Sequence, residues 1–380
     1  MRVAIVHSYY SSRSPSGENV VVDEQAEALV QAGHDVAVIA RSTDDLESGP
    51  LYRIRSGIST ATGVGRSPIP SLEAFEPDIV HVHNLFPNWG RRWLRDWRGP
   101  IVATLHNFRP MCAAGTLYRG GQTCTACVDH GSWNAVLHRC YRDSASATMP
   151  LAIASAGGVA GDALLERANA LVVLSERSYS IYEYAGVRQE KMVVVPNFVT
   201  ITDRPASDAG DRWLFAGRLT AEKGIIELIR DWPKGFKLDV VGDGPMRAEV
   251  ERAAKDSRDV SVHGRLPRPE LTKRIADSRG VVVPSRWAEG AVPLSYIESI
   301  ALGKPVVAFA GNAAADDAQR YGTGVTYLEA GDLRAAVERV ESNWRSYSCR
   351  AELRFREAFT PSVWLSSMEQ LYGRLLRADS

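Results

Sequence analysis

The chain has 380 residues, which is long for one hydrophobic core and suits two domains of ordinary size. Hydrophobic residues make up 45% and charged residues 24% of it, a composition typical of a globular protein and not of a disordered one. Basic and acidic residues both number 45, so the formal net charge is zero, which argues against a protein that binds nucleic acid through bulk charge.

The first half of the chain alternates short apolar runs with segments of helical spacing. Arg2 to Ser8 predicts a strand, Val20 to Val30 a helix, and His34 to Ala40 a second strand. Further strands are predicted at 79–83, 100–105, 170–174 and 192–195. Strands that alternate with helices indicate a parallel, doubly wound α/β domain over residues 1–198.

The same rhythm restarts after a polar segment at 201–211, which is typical of a linker. Strands are predicted at 212–216, 236–241, 260–263, 280–284, 305–309 and 324–327. We therefore expect a second Rossmann-like domain over 199–359, so that two domains face a central cleft. A last helix in 360–380 is expected to pack back on the N-terminal domain, which carries a cysteine-rich insert at 108–142.

Neither a signal peptide nor a membrane span is indicated. The apolar run at the N-terminus is short and is interrupted at His7, and the run at 150–159 is about half as long as a spanning helix. The sequence therefore predicts a cytoplasmic protein, with peripheral contact at the inner face of the cell membrane left open.

Two basic residues occupy one predicted strand-to-helix loop of the second domain. Arg218 follows the strand at 212–216, and Lys223 lies just before the next helix. A guanidinium fork, an ammonium and the amides of a helix N-terminus can all bind one anion. Taken alone, however, these residues fit equally well a solvated lysine and an arginine paired with a surface carboxylate.

Two glutamates follow a later strand of the same domain. Glu289 is predicted in a loop, and Pro293 suits the first turn of the helix that carries Glu298. A loop carboxylate can accept sugar hydroxyls, and a helical one can accept the hydroxyls of a ribose. The alternative is that Glu289 caps the helix and that Glu298 is an ordinary exposed residue.

Together these motifs resemble glycosyltransferase family 4, a retaining family with the GT-B architecture, in its bacterial polysaccharide-type members. The similarity runs through nearly the whole chain in the expected order. Its segments are Ser16 to Asn19, Thr104 to Asn107, Val195 to Asn197, Gly217 to Gly224, Val241 to Pro245, His263 to Leu266, and Pro284 to Pro305.

The resemblance implies roles for the basic and acidic residues. Arg218 and Lys223 would hold the diphosphate of the donor and stabilise it as it leaves. Glu298 would bind the ribose, and Glu289 the hydroxyls of the donor sugar. His106 would contact that sugar near the reacting carbon, although a buried structural histidine at a strand end is the alternative.

The resemblance also implies backbone contacts with the donor. The amides of the loop at Gly17 would approach the phosphate and sugar, because glycine permits close passage. The backbone from Gly264 to Leu266 would edge the base, and Pro293 and Leu294 would complete the donor site.

One spacing departs from the family motif. Eight residues separate Glu289 from Glu298, whereas the motif has seven, so we expect a bulge near Ala291 and Val292 that leaves Glu298 on its helix. Family members retain anomeric configuration, generally without a metal ion in the chemistry, and the sequence contains no Asp-x-Asp pair. The donor is expected to be a UDP- or GDP-sugar.

Four cysteines crowd the insert of the first domain, at Cys112, Cys124, Cys127 and Cys140. A C-x2-C pair with two further cysteines is compatible with a structural zinc site. Zinc fingers and ribbons usually have two close pairs, so reduced cysteines without metal are the alternative.

These features predict a hexosyltransferase that acts on a saccharide or lipid-linked acceptor in surface or exopolysaccharide synthesis. Three alternatives remain at this stage. A nucleotide-sugar epimerase on the same fold would convert its sugar without an acceptor, and a transferase could act on a small-molecule natural product. A non-enzymatic adapter built on a zinc module would not be stabilised by nucleoside diphosphates.

Overall fold

The computed structural model describes residues 1–12, 17–47, 49, 51–201 and 210–378. The chain divides into two compact units. The first unit comprises Met1–Arg119, Cys124–Pro196 and the C-terminal segment from Trp364 onwards. The second comprises Gly120–Thr123 and Asn197–Val363. Most of the predicted linker, residues 202–209, lies outside the described residues.

The sheet of the first unit is parallel throughout. The strands up to Pro196 are β1 (Arg2–Tyr9), β2 (Asp35–Ser42), β3 (Ile79–Val82), β4 (Ile101–Leu105), β5 (Tyr118–Arg119), β6 (Gln122–Thr123), β7 (Ala170–Val173) and β8 (Met192–Val194). Among the described residues, six of them form the sheet in the order β2-β1-β3-β4-β7-β8, and β5 pairs with β6. Strand order therefore reverses between β1 and β3, which is the topological switch point of a doubly wound sheet.

Helices flank this sheet. They are α1 (Gly17–Gln31), α2 (Thr43–Glu47), α3 (Tyr52–Thr62), α4 (Ile69–Phe75), α5 (Trp93–Asp96), α6 (Ala126–His130), α7 (Trp133–Leu137), α8 (Ala145–Ala154), α9 (Ala163–Arg167) and α10 (Glu176–Tyr184). Local sequence sets several of these starts. At α10, the Ser175 hydroxyl accepts from the amide of Ser178 and the Ser178 hydroxyl accepts from the amide of Ser175, a reciprocal cap.

The second unit repeats the architecture. Its strands are β9 (Arg212–Ala216), β10 (Lys237–Val241), β11 (Val260–Gly264), β12 (Gly280–Val283), β13 (Val306–Phe309) and β14 (Gly324–Tyr327), and their order is β11-β10-β9-β12-β13-β14. Its helices are α11 (Ile225–Asp231), α12 (Arg247–Ala254), α13 (Arg268–Ala276), α14 (Leu294–Ala301), α15 (Ala313–Tyr321), α16 (Asp332–Ser342) and α17 (Trp344–Ala358). The switch point here lies between β9 and β12, which pair in parallel at Trp213 with Gly280 and Leu214 with Val281.

The strands are apolar because helices cover both faces of each sheet. Val3 to Val6 of β1 and Val281 to Val283 of β12 are all buried. The last helix, α18 (Pro361–Ala378), belongs to the first unit from Trp364 onwards, and its Tyr372 hydroxyl lies 2.7 Å from Nδ1 of His81. Two six-stranded parallel sheets with flanking helices confirm the predicted α/β class. No helix in the described part of the chain is both long and apolar enough to cross a membrane.

Candidate active site

The loops that follow β9 and β12 are locked together at the switch point of the second sheet. The amide of Arg286 donates to the carbonyl of Glu222 over 2.9 Å. Gly224 has a φ of 66°, and a Cβ there would lie 2.3 Å from the carbonyl oxygen of Pro284. Only glycine fits both that conformation and that approach, so Gly224 is required for the Lys223 loop to lie this close to the Glu289 loop.

Lys223 and Glu289, both predicted as site residues, form an ion pair between these loops. Nζ of Lys223 contacts Oε1 of Glu289, and the side chains are 18% and 3% exposed. The ammonium also lies 5.6 Å from the ring centroid of Trp287. A carboxylate this deeply buried needs a charged partner, and Lys223 supplies it.

The two oxygens of Glu289 have different surroundings. Oε1 also accepts from the Ser285 hydroxyl at 3.0 Å and from the Trp287 indole at 3.1 Å. Oε2 is buried without a hydrogen-bond partner in the described protein. The residue has a φ of 37°, an unusual conformation for a side chain larger than glycine and one often found at functional sites. Glu289 is thus a fixed acceptor with an unused lone pair.

Arg218 occupies the same loop as Lys223 but is more exposed. Its Nη2 lies 3.9 Å from Oε1 of Glu222, and the Arg218 side chain is 53% exposed. Glu222 in turn accepts from the Thr220 hydroxyl at 2.7 Å. Arg218 thus has a carboxylate partner, as in the alternative interpretation, although Glu222 is only 17% exposed, and the Arg218 guanidinium remains accessible to an anion.

The other predicted donor residues lie on or next to α14 and at the end of β11 in the second unit. Glu298 is within α14, as expected from the spacing, and its side chain is 9% exposed with Oε1 3.9 Å from Nε of Arg268. Pro293 is the residue before Leu294, which begins α14. Gly264 ends β11 with a φ of 68°, and Leu266 follows it, partly buried.

A cluster of imidazoles occupies the corresponding edge of the first sheet. His7 lies on β1, His81 and His83 lie on and just after β3, and His106 follows β4. Nδ1 of His83 is 2.9 Å from Nε2 of His106, and their rings are stacked with centroids 5.2 Å apart. His81 and His83 lie with centroids 4.2 Å apart, and Nε2 of His81 is 2.7 Å from the Thr104 hydroxyl.

These histidines are neutral at physiological pH. Burial lowers the pKa of His7 to about 4 and the pKa of both His81 and His106 to about 3. Burial and the neighbouring imidazoles lower the pKa of His83 well below its usual value. A neutral imidazole has one donor nitrogen and one acceptor nitrogen, so His83 and His106 share a single proton between Nδ1 and Nε2. His106 is therefore a hydrogen-bonding group here and not a cation.

Gly17, predicted to approach the donor, is the exposed first residue of α1, whereas Ser16 of the same motif lies outside the described residues. Glu18 follows it in the first turn, and burial raises the pKa of Glu18 to about 8. Its carboxyl group hydrogen-bonds with the side chains of Asn84 and Asn107 and interacts with the charge of Arg109.

Sequence reasoning assigned no role to Glu18, His83, Asn84 or Arg109. In the second unit it also missed Asn312, which caps α15 by accepting from the Ala315 amide and donates to the Ser285 carbonyl at 2.9 Å. The sequence could have indicated these residues by their position, because each lies at or shortly after the carboxyl end of a predicted strand or at the start of a predicted helix. Polar residues at those positions are those most able to face a ligand.

The structure does not support the predicted zinc site. Burial and the nearby thiols of Cys112 and Cys140 raise the pKa of Cys127 to about 11, and burial also raises the pKa of Cys140. Among the residues that the structure describes, no group of three or more His, Cys, Asp or Glu side chains is placed to hold a metal ion. Cys124 and the other three are free thiols, and Cys127 and Cys140 pack against the apolar cluster of Ala113, Ala135 and Leu151.

Comparison with protein families gives two matches. Residues 15–203 match the model described as Glycosyltransferase Family 4, and residues 210–343 match the one described as Glycosyl transferases group 1. The two matches follow the two units and together cover most of the chain. No curated protein matches the sequence.

Solved structures of similar fold are glycosyltransferases. Sucrose-phosphate synthase from Thermosynechococcus elongatus is 20% identical, with a TM-score of 0.70 and 99% of each chain covered. The Anabaena protein HepE, solved with UDP-glucose, is 14% identical, with a TM-score of 0.64 over 98% of this chain and 100% of that one. WaaG, a glycosyltransferase involved in lipopolysaccharide biosynthesis, is 16% identical, with a TM-score of 0.60 over 97% and 98%. The family matches identify the chain as a glycosyltransferase of the family 4 type, and the similar structures agree with its GT-B fold.

Proposed function

We propose that the protein transfers a hexosyl unit from a nucleotide diphosphate sugar to a hydroxyl of a saccharide or lipid-linked acceptor, with retention of anomeric configuration. The proposed setting is the synthesis of a cell-surface polysaccharide or exopolysaccharide in the cytoplasm, at or near the inner face of the membrane. The observation that carries the proposal is the Lys223–Glu289 pair, in which the buried Oε2 of Glu289 has no hydrogen-bond donor among the described residues.

Lys223 and Arg218 are proposed to bind the diphosphate of the donor. A diphosphate brought beside Lys223 shares its ammonium with Glu289, and Arg218 can turn from Glu222 because its side chain is half exposed. Both cations then oppose the negative charge that develops on the leaving diphosphate. The proposed chemistry uses these side chains and no metal ion.

The remaining residues of the second unit are proposed to hold the rest of the donor. Oε2 of Glu289 would accept from a hydroxyl of the transferred sugar, and Glu298 would accept from the ribose. The backbone of Gly264 to Leu266 would lie along the edge of the nucleotide base, and Pro293 and Leu294 would lie beside the diphosphate. This arrangement is supported by positions near the carboxyl ends of strands: Gly264 ends β11, and Glu289 lies in the loop between β12 and α14, the helix that carries Glu298.

His106 and the amides at Gly17 are proposed to act on the transferred sugar from the first unit. Because His106 is neutral and hydrogen-bonded to His83, it would bind a sugar hydroxyl without repelling or attracting the diphosphate charge. The acceptor hydroxyl would attack on the face from which the diphosphate leaves, and a phosphate oxygen would take its proton.

A UDP-sugar is the first donor to test, since HepE was solved with UDP-glucose and, separately, with UDP and glucose. A thermal-shift screen with UDP, GDP, ADP and TDP should find at least one nucleotide that stabilises the chain, because a ligand of the folded state must raise its melting temperature. Transfer from the matching sugar, followed by NMR of the anomeric proton of the product, then tests retention. Failure of all four nucleotides to bind would refute the proposal, and an inverted product would refute its stereochemistry.

A further inference from the structure

The first unit contains a cavity of about 110 Å³ beside His106. Its walls include the apolar side chains of Phe86, Trp89 and Leu151, and its polar part includes His83 and His106. A water molecule needs roughly 10–15 Å³ of such space, so the cavity has room for a larger polar molecule. It lies at the carboxyl ends of β3 and β4, where ligands bind in doubly wound sheets.

Among the described residues, two arginines line this cavity, and the charge of the first is compensated by an aspartate. Nη1 of Arg91 lies 3.3 Å from Oδ2 of Asp162, and Nη2 donates to the Thr60 carbonyl at 3.2 Å. The Asp162 side chain is 8% exposed and also caps α9 through the amides of Leu164 and Leu165. Arg91 therefore completes a structural ion pair in the cavity wall.

Arg109 also lines the cavity, but its contacts do not neutralise it. Nη1 donates to the carbonyl of Ala113 at 3.1 Å, and the guanidinium lies over the Phe86 ring, 4.2 Å from its centroid. Nε is buried without a hydrogen-bond partner in the described protein. A carbonyl and an aromatic face stabilise a cation, but neither supplies a negative charge.

The carboxyl group that interacts with Arg109 belongs to Glu18, and it is mostly protonated at neutral pH. Burial raises the pKa of Glu18 to about 8, despite the charge of Arg109 and hydrogen bonds with Asn84 and Asn107. His106 in the cavity wall is neutral because burial lowers its pKa to about 3. The cavity thus has an excess positive charge at Arg109.

We propose that this cavity binds the acceptor, and that the acceptor carries a phosphate or carboxylate held by Arg109. The amide side chains of Asn84 and Asn107, which also line the cavity, would bind neutral hydroxyls of the same molecule. This inference rests on the proposed function, since it names the chemical class of the acceptor. A free anionic sugar and a lipid-linked diphosphate present the same chemistry to Arg109.

Matched sugars test the charge requirement. Glucose, glucose 6-phosphate and glucuronate share one ring and differ in the charged group, so each is titrated calorimetrically into the full chain with saturating UDP. At least one anionic sugar should bind about tenfold more tightly than glucose. Farnesyl diphosphate in detergent micelles, compared with farnesol, forms the lipid arm, and a diphosphate preference confined to this arm would assign the anion to a lipid carrier.

Arg109→Gln should reduce the preference for the anion to less than about threefold, and Arg109→Lys should retain part of it. Arg142→Gln is the matched control. The guanidinium groups of Arg109 and Arg142 both lie over the Tyr141 ring, 5.9 and 5.3 Å from its centroid, but Arg142 is exposed and does not line the cavity. Near-UV circular dichroism and the melting temperature would show whether each variant folds.

The outcomes separate this inference from the proposed function. If UDP stabilises the chain but no anionic probe binds better than its neutral counterpart, the acceptor inference is overturned and the donor proposal stands. A preference that survives Arg109→Gln overturns the role of Arg109. If no nucleotide binds while the anion preference is present and depends on Arg109, the cavity assignment is supported and the transferase proposal fails.

Discussion

The two units carry different polar groups at the switch points of their sheets: an ion pair in the second unit and neutral imidazoles in the first. In the second unit, the loops after β9 and β12 carry an ion pair, Lys223 with Glu289, and an accessible Arg218. In the first unit, the strand ends around β1 and β3 carry buried imidazoles such as His83. Both places are switch points of doubly wound sheets, where loops on either side diverge and leave room for a ligand.

The difference follows from burial and from what each group can do when buried. In the second unit, the half-buried Lys223 and the buried Glu289 form an ion pair, so each charge is compensated by the other. The histidines of the first unit lose their protons instead, because burial desolvates their charged forms and lowers their pKa values. One switch point therefore offers charge, and the other offers neutral hydrogen-bonding groups together with Arg109.

The largest effect on transfer and stability is expected at Lys223. Lys223→Ala should lower the rate of transfer by roughly 10²–10³-fold, because the leaving diphosphate loses a cation. It should also lower the free energy of unfolding by about 2–4 kcal/mol, since buried Glu289 loses its partner, with partial exposure of Lys223 limiting the effect. Initial rates and urea unfolding measure the two effects.

Lys237→Ala is the matched control for that variant. Lys237 pairs with Asp211 in the same unit, but the two side chains are 51% and 72% exposed. Such a surface pair contributes about 0–1 kcal/mol, so both rate and stability should stay near those of the unchanged protein. Equal activity in Lys223→Ala and Lys237→Ala would contradict the proposed donor site.

Gly224 tests whether the donor loops must approach as closely as they do. In Gly224→Ala, the new methyl group meets the Pro284 carbonyl at 2.3 Å, so the Lys223 loop has to shift and stabilisation by UDP should be lost. Gly235→Ala is the control, because Gly235 also has a positive φ, 90°, but nothing lies within 4 Å of its Cβ position. It should show only the backbone strain, about 1–2 kcal/mol. Similar UDP binding in both variants would mean that the close approach is unimportant.

The histidine cluster predicts that the first unit is the more sensitive to acid. A histidine whose pKa falls from 6.5 in the unfolded chain to about 4 in the folded state, as at His7, takes up its proton on unfolding within that interval. Stability is therefore lost as the pH falls below about 6.5, by about 1.4 kcal/mol per pH unit for each such group. Glu18 acts in the opposite direction between about 4.5 and 8, but it offsets only one histidine.

Peptide-resolved hydrogen exchange between pH 7 and pH 4.5 can separate the two units. The second unit has one histidine, His263, which pairs with Asp239. Burial would raise the pKa of Asp239, but hydrogen bonds from Arg212 and His263 outweigh it, so this pKa is lowered. That aspartate loses its contribution only when the pH falls through its lowered pKa. Equal loss of protection in both units over this pH interval would contradict the assignment of neutral histidines.

The sequence predicted the sheets well, because long apolar runs alternate with helical segments in both units. Every predicted strand of the second unit, from 212–216 to 324–327, coincides with one of the strands β9 to β14 within two residues at either end. Glu298 was also correctly placed on its helix, because Pro293 marks where that helix begins. These features depend on local pattern and local geometry.

The environment of each side chain could not be predicted in the same way. The pairing of Lys223 with Glu289 joins residues 66 positions apart, and it depends on two loops brought together by the pairing of β9 with β12. The zinc hypothesis was not supported for a related reason, since spacing cannot show whether the thiols of Cys127 and Cys140 pack as neutral apolar groups. Glu18 was missed because its raised pKa arises from burial, and the side chains that interact with it, Asn84, Asn107 and Arg109, are distant in sequence.

The smallest effect is expected where the last helix meets the histidine cluster. Tyr372→Phe on α18 removes the hydroxyl that lies 2.7 Å from Nδ1 of His81 and leaves that buried nitrogen without its partner, which should cost about 1–3 kcal/mol. Tyr184→Phe is the control, because the Tyr184 hydroxyl also donates a hydrogen bond, to Asp129 at 2.8 Å, but the residue is 67% exposed and its loss should cost less than about 0.5 kcal/mol. Stabilisation by UDP should be unchanged in both variants, since neither residue lies in the second unit. Equal stability of Tyr372→Phe and Tyr184→Phe would contradict this expectation. It would mean that a water molecule replaces the lost hydroxyl at Nδ1 of His81, although burial lowers the pKa of that histidine.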